Sequence, residues 1–174
     1  MALAISLVFD AETTTCVEAL WRELAELGIS RDMLDLRYPP HVTLVVTDDE
    51  KFEPEMRQAL ANAAGMVALA MKLGPVRRFD GTDITWLAAD GGPGLHALHR
   101  LVANSVPLET IRPHYRPGQW IPHMTLQTTG DASAGQKLVS ALWRDQRPGK
   151  ATRLELARFL PVVTLAGADL IHAG

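Results

Sequence analysis

The chain has a single cysteine, Cys16, among 174 residues, which excludes an internal disulfide and every cysteine-rich zinc framework. It has no excess of positive charge. Seventeen Lys and Arg against twenty Asp and Glu leave a formal net charge of −3, so no global field draws in long nucleic acid. A short RNA end or a nucleotide held by a few local arginines is compatible with that balance. Long hydrophobic runs are missing too. The apolar start over residues 1–9 has no basic leader and no cleavage site; it is broken by Ser6, ended by Asp10, and far short of a membrane span. These absences predict a cytoplasmic protein with no membrane association, no cofactor, no metal and no evident obligate protein partner. What remains is an ordinary soluble composition, 47% apolar and 21% charged, in a chain long enough to bury a proper core.

One stretch is present twice. Tyr38-Pro39-Pro40-His41-Val42-Thr43-Leu44 returns 82 positions later as Trp120-Ile121-Pro122-His123-Met124-Thr125-Leu126. Each copy reads aromatic, any residue, Pro, His, apolar, Thr, Leu. A chance second match is on the order of one in a few thousand, so the repeat is a feature of the design of the chain.

The surrounding pattern repeats as well. Residues 3–9 read as a buried strand, followed by a helix with a Thr15–Glu18 capping box, an apolar stripe of Val17, Leu20, Trp21, Leu24 and Leu27, and a stop at Gly28. A polar loop over 29–37 leads to the first motif, whose paired prolines favour extended chain before the strand 41–47. Pro54 marks the start of a second helix, and 67–73 a third strand that can continue to Phe79 past Gly74-Pro75. The second half follows the same order. A strand at 84–88 precedes a helix carrying Leu95, Leu98, Leu101 and Val102, and a Pro-rich loop precedes the motif strand 123–128. A Ser133–Gln136 capping box then opens a helix with Leu138, Leu142 and Trp143 inward. Two closing strands, 153–160 and 162–171, form a hairpin. The prediction is an α+β protein: one bilobal domain of two β-α-β-α-β lobes, approximately residues 1–80 and 81–174. The lobes are related by a pseudo-two-fold axis, with mainly antiparallel sheets around a central cleft.

In a strand, residues i and i+2 share a face. His41 therefore points with Thr43, and His123 with Thr125, while Val42, Leu44, Met124 and Leu126 point the other way into the core. Two such pairs on opposite walls suit displacement at phosphorus, where the attacking and leaving oxygens lie roughly in line. One imidazole serves as base and the other as acid, and the threonine hydroxyls donate to the non-bridging oxygens. A single His-x-Thr would more often be ordinary sheet surface. Two in matching contexts are hard to ascribe to packing.

The paired His41-Val-Thr-Leu44 and His123-Met-Thr-Leu126 resemble the His-apolar-Thr-apolar signature of the two-histidine phosphoesterase superfamily. The bacterial 2′-5′ RNA ligase and RNA 2′,3′-cyclic phosphodiesterase branch is the most similar. The apolar first strand, Phe79 with Trp86-Leu87, and Trp120-Ile-Pro-His123 extend the likeness over nearly the whole chain. The resemblance implies hydrolysis of cyclic phosphodiesters at RNA or nucleotide ends, with His41 and His123 as the acid/base pair and Thr43 and Thr125 as phosphate donors. Ligation through a 2′-5′ bond, or nucleotide binding without turnover, are the alternatives.

Candidate substrate contacts are Tyr115 and Arg116 before the second motif, Tyr38 and Trp120 at the head of each motif, and Arg78 beside a turn. Of Arg77 and Arg78, alternation sends only one toward the cleft. Arg112 and Arg158 are more simply solvated surface. His96 and His99, three apart on a helix, have the spacing of metal ligands but no third ligand in view, and read as ordinary surface flanking the apolar stripe. His114 edges the cleft, and His172 lies in a fraying tail.

Overall fold

A computed structural model describes residues 1–171; the expectation for His172 lies outside them. The strands are β1 (Ala2–Phe9), β2 (His41–Thr47), β3 (Leu69–Arg78), β4 (Thr85–Asp90), β5 (His123–Gln127), β6 (Arg147–Phe159) and β7 (Val163–Asp169). The helices are α1 (Ala11–Glu26), α2 (Asp32–Asp35), α3 (Glu53–Ala63), α4 (Gly92–Asn104) and α5 (Ala132–Leu142). The element order is thus the expected β-α-β-α-β, twice, with a short extra helix before the first motif and a final strand. The protein is α+β, and its strands pair antiparallel throughout the sheet.

The lobe pattern differs from the sequence expectation. The strand order is β1-β2-β5-β4-β3-β6-β7, and β1 also pairs with β6, so six strands close into a ring. Each half gives its third strand to the other half: β3 pairs with β4 and β6, and β6 pairs with β1 and β3. Exchanging β1 with β4, β2 with β5 and β3 with β6 leaves the ring order unchanged. The pseudo-two-fold survives as a symmetry of strand pairing, while the halves are interlocked and do not form separate sheets facing across an open cleft. Alternation reveals which face a side chain takes, not which strand lies beside it, so this exchange was invisible in the sequence.

Two helix starts also lie earlier than expected. Asp10 caps α1, its carboxylate accepting from the Thr13 N–H, and Asp131 caps α5 by accepting from Ser133 and Ala134. The Thr15 and Ser133 boxes fall inside the helices. An aspartate satisfies the orphan N–H groups as well as a threonine does and adds a favourable charge at the positive helix end. The strand β6 starts at Arg147 rather than 153, with Gly149 in its interior. A Cβ on Gly149 would meet Leu73 at 2.7 Å, so only glycine lets β6 lie this close to its neighbour's side chain.

Leu3, Ile5 and Leu7 of β1, Val42 and Leu44 of β2, and Met124 and Leu126 of β5 lie in one core with Leu95, Leu98 and Val102 of α4. Leu44 and Met124 are fully buried. The apolar partners of each motif therefore anchor it from behind, as alternation required, and leave the His and Thr faces for the cleft.

Candidate active site

β2 and β5 are paired through one residue pair, Val42 with Met124. In an antiparallel arrangement the neighbours of such a pair face each other in reverse order. His41 thus lies toward Thr125 and Thr43 toward His123, with the two imidazoles on a diagonal. The four side chains share the face opposite Val42 and Met124.

Each histidine is fixed by the same short-range contact. His41 Nδ1 lies 2.8 Å from the Pro39 carbonyl, and His123 Nδ1 lies 2.7 Å from the Ile121 carbonyl. A carbonyl only accepts, so in both rings Nδ1 carries the hydrogen and Nε2 is left for chemistry. The proline between, Pro40 or Pro122, has no N–H and a fixed φ, which holds the extended turn that brings that carbonyl under the ring. Aromatic edges complete the orientation. Tyr38 meets His41 at 4.9 Å between ring centroids, while Phe79 and Trp86 meet His123 at 5.1 and 5.7 Å.

Burial pushes both histidines below the ordinary imidazole range. The carbonyl bond opposes this in each case; the other histidine lowers His41 further, and His114 lowers His123. The Glu155 carboxylate partly restores His41. Ser6, on β1, donates to the Thr43 hydroxyl at 3.3 Å.

Two hollows flank the histidines and meet at Tyr115. The first, about 400 Å³, is lined by His41, Thr43, Ala4, Arg112, Tyr115 and Phe159, among others. The second, about 290 Å³, holds His123 with Phe79, Ile84, His114, Tyr115 and Ile121. One wall carries an arginine and the other is chiefly apolar and aromatic.

The expected substrate contacts divide accordingly. Tyr115 stands at the junction, its hydroxyl toward Thr43; burial pushes its phenol up, against Arg112 and Thr43. Arg116 is committed elsewhere, its guanidinium donating to the carbonyls of Ile111 (2.8 Å) and Glu109 (3.1 Å), so it braces the loop. Trp120 is buried, and its indole N–H donates to the Thr43 carbonyl at 2.9 Å. Tyr38 is also buried, behind His41. The register pairs Arg77 with Trp86 and Trp86 with Thr125, which puts Arg77 on the cleft face and Arg78 on the other. The bulge between Leu73 and Val76 decided that parity, and it could not be read from sequence. Arg112 lines the first hollow and is held bidentate by Asp48.

His96 is exposed, as expected of a surface residue flanking the apolar stripe, but His99 is not. His99 is 2% exposed and stacks on Trp120 at 4.0 Å with rings 3° from parallel, while His96 meets the same indole edge-on at 5.9 Å. Their spacing grips an aromatic ring. Among the described residues, no group of three or more His, Cys, Asp or Glu is placed to hold a metal ion.

Several solved structures share this architecture. E. coli LigT complexed with NADP+ superposes with a TM-score of 0.61 at 19% identity, covering 97% of this chain and 96% of that one. A phosphoesterase gives 0.63 at 18% identity, with 97% of each chain covered. The MHV ns2 PDE domain gives 0.52 at 15% identity over 95% of this chain and 99% of that one. No curated protein sequence matches significantly. The fold and its paired motifs define a two-histidine phosphoesterase architecture. A sequence model of the 2′-5′ RNA ligase superfamily matches residues 16–160, and the chain belongs to that superfamily. No helix among the described residues is long and apolar enough to cross a membrane.

Proposed function

We propose that the protein hydrolyses 2′,3′-cyclic phosphates of nucleotides or RNA ends by two-histidine acid/base catalysis, without a metal. The observation that carries this reading is the matched preparation of His41 and His123. Both rings are held by an Nδ1–H bond to the carbonyl two residues back, and both have Nε2 free on the face shared by Thr43 and Thr125. A binding module has no need of two imidazoles in this state.

In the reaction, water attacks phosphorus as one Nε2 takes its proton. The bond from phosphorus to one ribose oxygen breaks, and the other imidazole, as imidazolium, protonates that oxygen. The product is a phosphomonoester with a free neighbouring hydroxyl. The Thr43 and Thr125 hydroxyls donate to the non-bridging oxygens, where hydrogen bonds count most if they tighten with developing charge. Phosphorus sits near the junction of the hollows, so a base has room against Phe79, Ile121 and Tyr115 in the second hollow. E. coli LigT has been crystallised with 3′-AMP, ATP and NADP+, which supports a nucleotide in this cleft.

The superfamily description favours a second reading, RNA ligation, in which a ribose or terminal hydroxyl replaces water as nucleophile or the cyclic phosphate is re-formed in reverse. The same imidazoles serve both directions. A panel of nucleoside 2′,3′-cyclic phosphates, assayed in excess chelator with the product position read by ³¹P NMR, tests the hydrolytic reading. Turnover under chelation is expected. No turnover of any member, with joining of cleaved RNA halves instead, would establish the ligase reading.

A further inference from the structure

His99 is a buried titratable group that the mechanism leaves unused. We propose that His99 is a positioning residue for this site, joining the two motif strands to each other and to the Tyr115 loop. This rests on the phosphoesterase reading above for its kinetic consequences, but not for its structural ones.

The backbone ladder between β2 and β5 has one register pair, Val42 with Met124. Just beyond it, the Thr43 carbonyl accepts from the Trp120 indole N–H at 2.9 Å. A side chain from the head of the second motif thus supplies the next rung, on the very residue proposed to bind phosphate. An indole can hold that donor in place only if its ring is fixed. His99 fixes it, stacked face to face at 4.0 Å and 3°, with His96 against the edge.

The other end of the imidazole serves the loop. His99 Nε2 lies 2.9 Å from the Tyr115 carbonyl, and because a carbonyl only accepts, Nε2–H is the donor. Tyr115 is the residue shared by both hollows. One ring therefore sets two things: its face holds the rung to Thr43, and its N–H holds the wall that divides the cleft. The groups facing it are His96 and Arg100 from its own helix and the Tyr115 and Leu44 carbonyls from the loop and β2; with burial the largest influence, the ring is held below the ordinary imidazole range. It is neutral at neutral pH, and neither role requires a change of protonation.

The two roles separate by substitution. His99→Phe keeps a flat ring over Trp120 and removes the donor to Tyr115. His99→Gln keeps a donor and removes the stack. The readouts are kcat and KM on adenosine 2′,3′-cyclic phosphate, and hydrogen exchange of the Trp120 indole N–H by ¹⁵N NMR, which does not depend on activity. His99→Gln is expected to speed indole exchange and lower kcat about tenfold, equivalent to about 1.4 kcal/mol of barrier, with KM little changed. His99→Phe is expected to preserve indole protection and kcat while raising KM several-fold, since ground-state and transition-state binding both use the Tyr115 wall. Trp120→Phe removes the rung alone and should match His99→Gln in kcat. Equal effects of the two His99 variants on kcat, KM and indole exchange would overturn the proposal, as would unaltered indole exchange in His99→Gln. If the wild type turns over no cyclic phosphate, the exchange measurements still decide the role of His99, and only the phosphoesterase reading falls.

Discussion

Val42 and Met124 face each other as the one register pair between the two motif strands, and both are fully buried. This pair is the pivot of the site. It places His41 and His123 on a diagonal, each with the other strand's threonine as its nearer neighbour across the seam. Each proposed proton carrier is thus served by a phosphate donor from the opposite motif, so neither motif forms a half-site of its own.

Loss of either imidazole should therefore be severe and non-additive. His41→Ala and His123→Ala are each expected to reduce kcat by roughly 10²–10⁴-fold, and the double variant by little more than the worse single one. Thermal unfolding of each should stay near the wild type, because both rings lie on the cleft face and not in the core. Full activity in either single variant would remove the acid/base mechanism.

The pH profile follows from burial. Both imidazoles titrate below the ordinary value of 6.5, and the reaction needs one protonated and one neutral. The kcat/KM profile, which reports the free enzyme, should be a bell centred on the acid side of 6.5, falling through neutrality as the acid loses its proton. A bound phosphate anion favours the imidazolium, so the alkaline limb of kcat should lie at higher pH than that of kcat/KM. A kcat/KM plateau extending well above neutrality contradicts this account.

Stability should respond to the same groups with a definite sign. His41, His99, His114 and His123 all have folded values below 6.5, so the unfolded chain binds protons first. Their contribution is whole above 6.5 and is lost as pH falls toward the folded values. Asp32 behaves differently. Burial pushes its carboxyl up, but hydrogen bonds from Thr128, Ser30 and Met33 outweigh that and hold it below 3.8, so its contribution fades only in stronger acid. Melting temperature should fall between about pH 7 and about pH 5, and less so in His99→Phe.

Arg77 and Arg78 give a direct test of register. The bulge in β3 turns Arg77 to the face of Trp86 and Thr125. Arg77→Gln is expected to raise KM for a nucleotide substrate several-fold, the loss of one exposed charge-assisted contact, and Arg78→Gln to leave it unchanged. The reverse ranking would mean that β3 is paired one residue out of the register described.

Gly135 should resist a substitution that helices usually welcome. It lies within α5, where alanine would ordinarily be favoured by about 1 kcal/mol. A Cβ there would fall 1.8 Å from Gln127 Oε1, a side chain completely buried at the end of β5. Gly135→Ala should therefore destabilise by about 1–3 kcal/mol, measured by denaturant unfolding, and Gln127→Ala should relieve most of that cost in the double variant.

How much of this was legible in the sequence depended on whether the signal was local. Strand alternation gave the faces of His41, Thr43, His123 and Thr125, and the 82-residue repeat gave the order of elements. Asp10 and Asp131 are masked as caps by a more elaborate Ser/Thr pattern a few residues on. His99 is hidden for a different reason. Leu95, Leu98, His99 and Val102 make the i, i+3, i+4, i+7 stripe, but a polar residue in a buried stripe is recognised only when its partners are known, and Trp120 and Tyr115 are distant in sequence. Leu101 took its place in the expectation and is in fact 37% exposed. Strand neighbours were hidden for the same reason, since nothing local to β3 or β6 records that each belongs beside the other half.

The exchange of third strands also bears on how the protein is made. β1 pairs along its length with residues 151–159 of β6, so β1 leaves the ribosome well before this neighbour has been made. Until then its free edge, and the apolar residues on both its faces, have no lasting cover. Domains generally fold as units during synthesis, and this one cannot close its ring until β6 has emerged. The cleft becomes competent only once β6 has been made, and a product truncated before β6 would have both histidines in its sequence without a closed ring to support them.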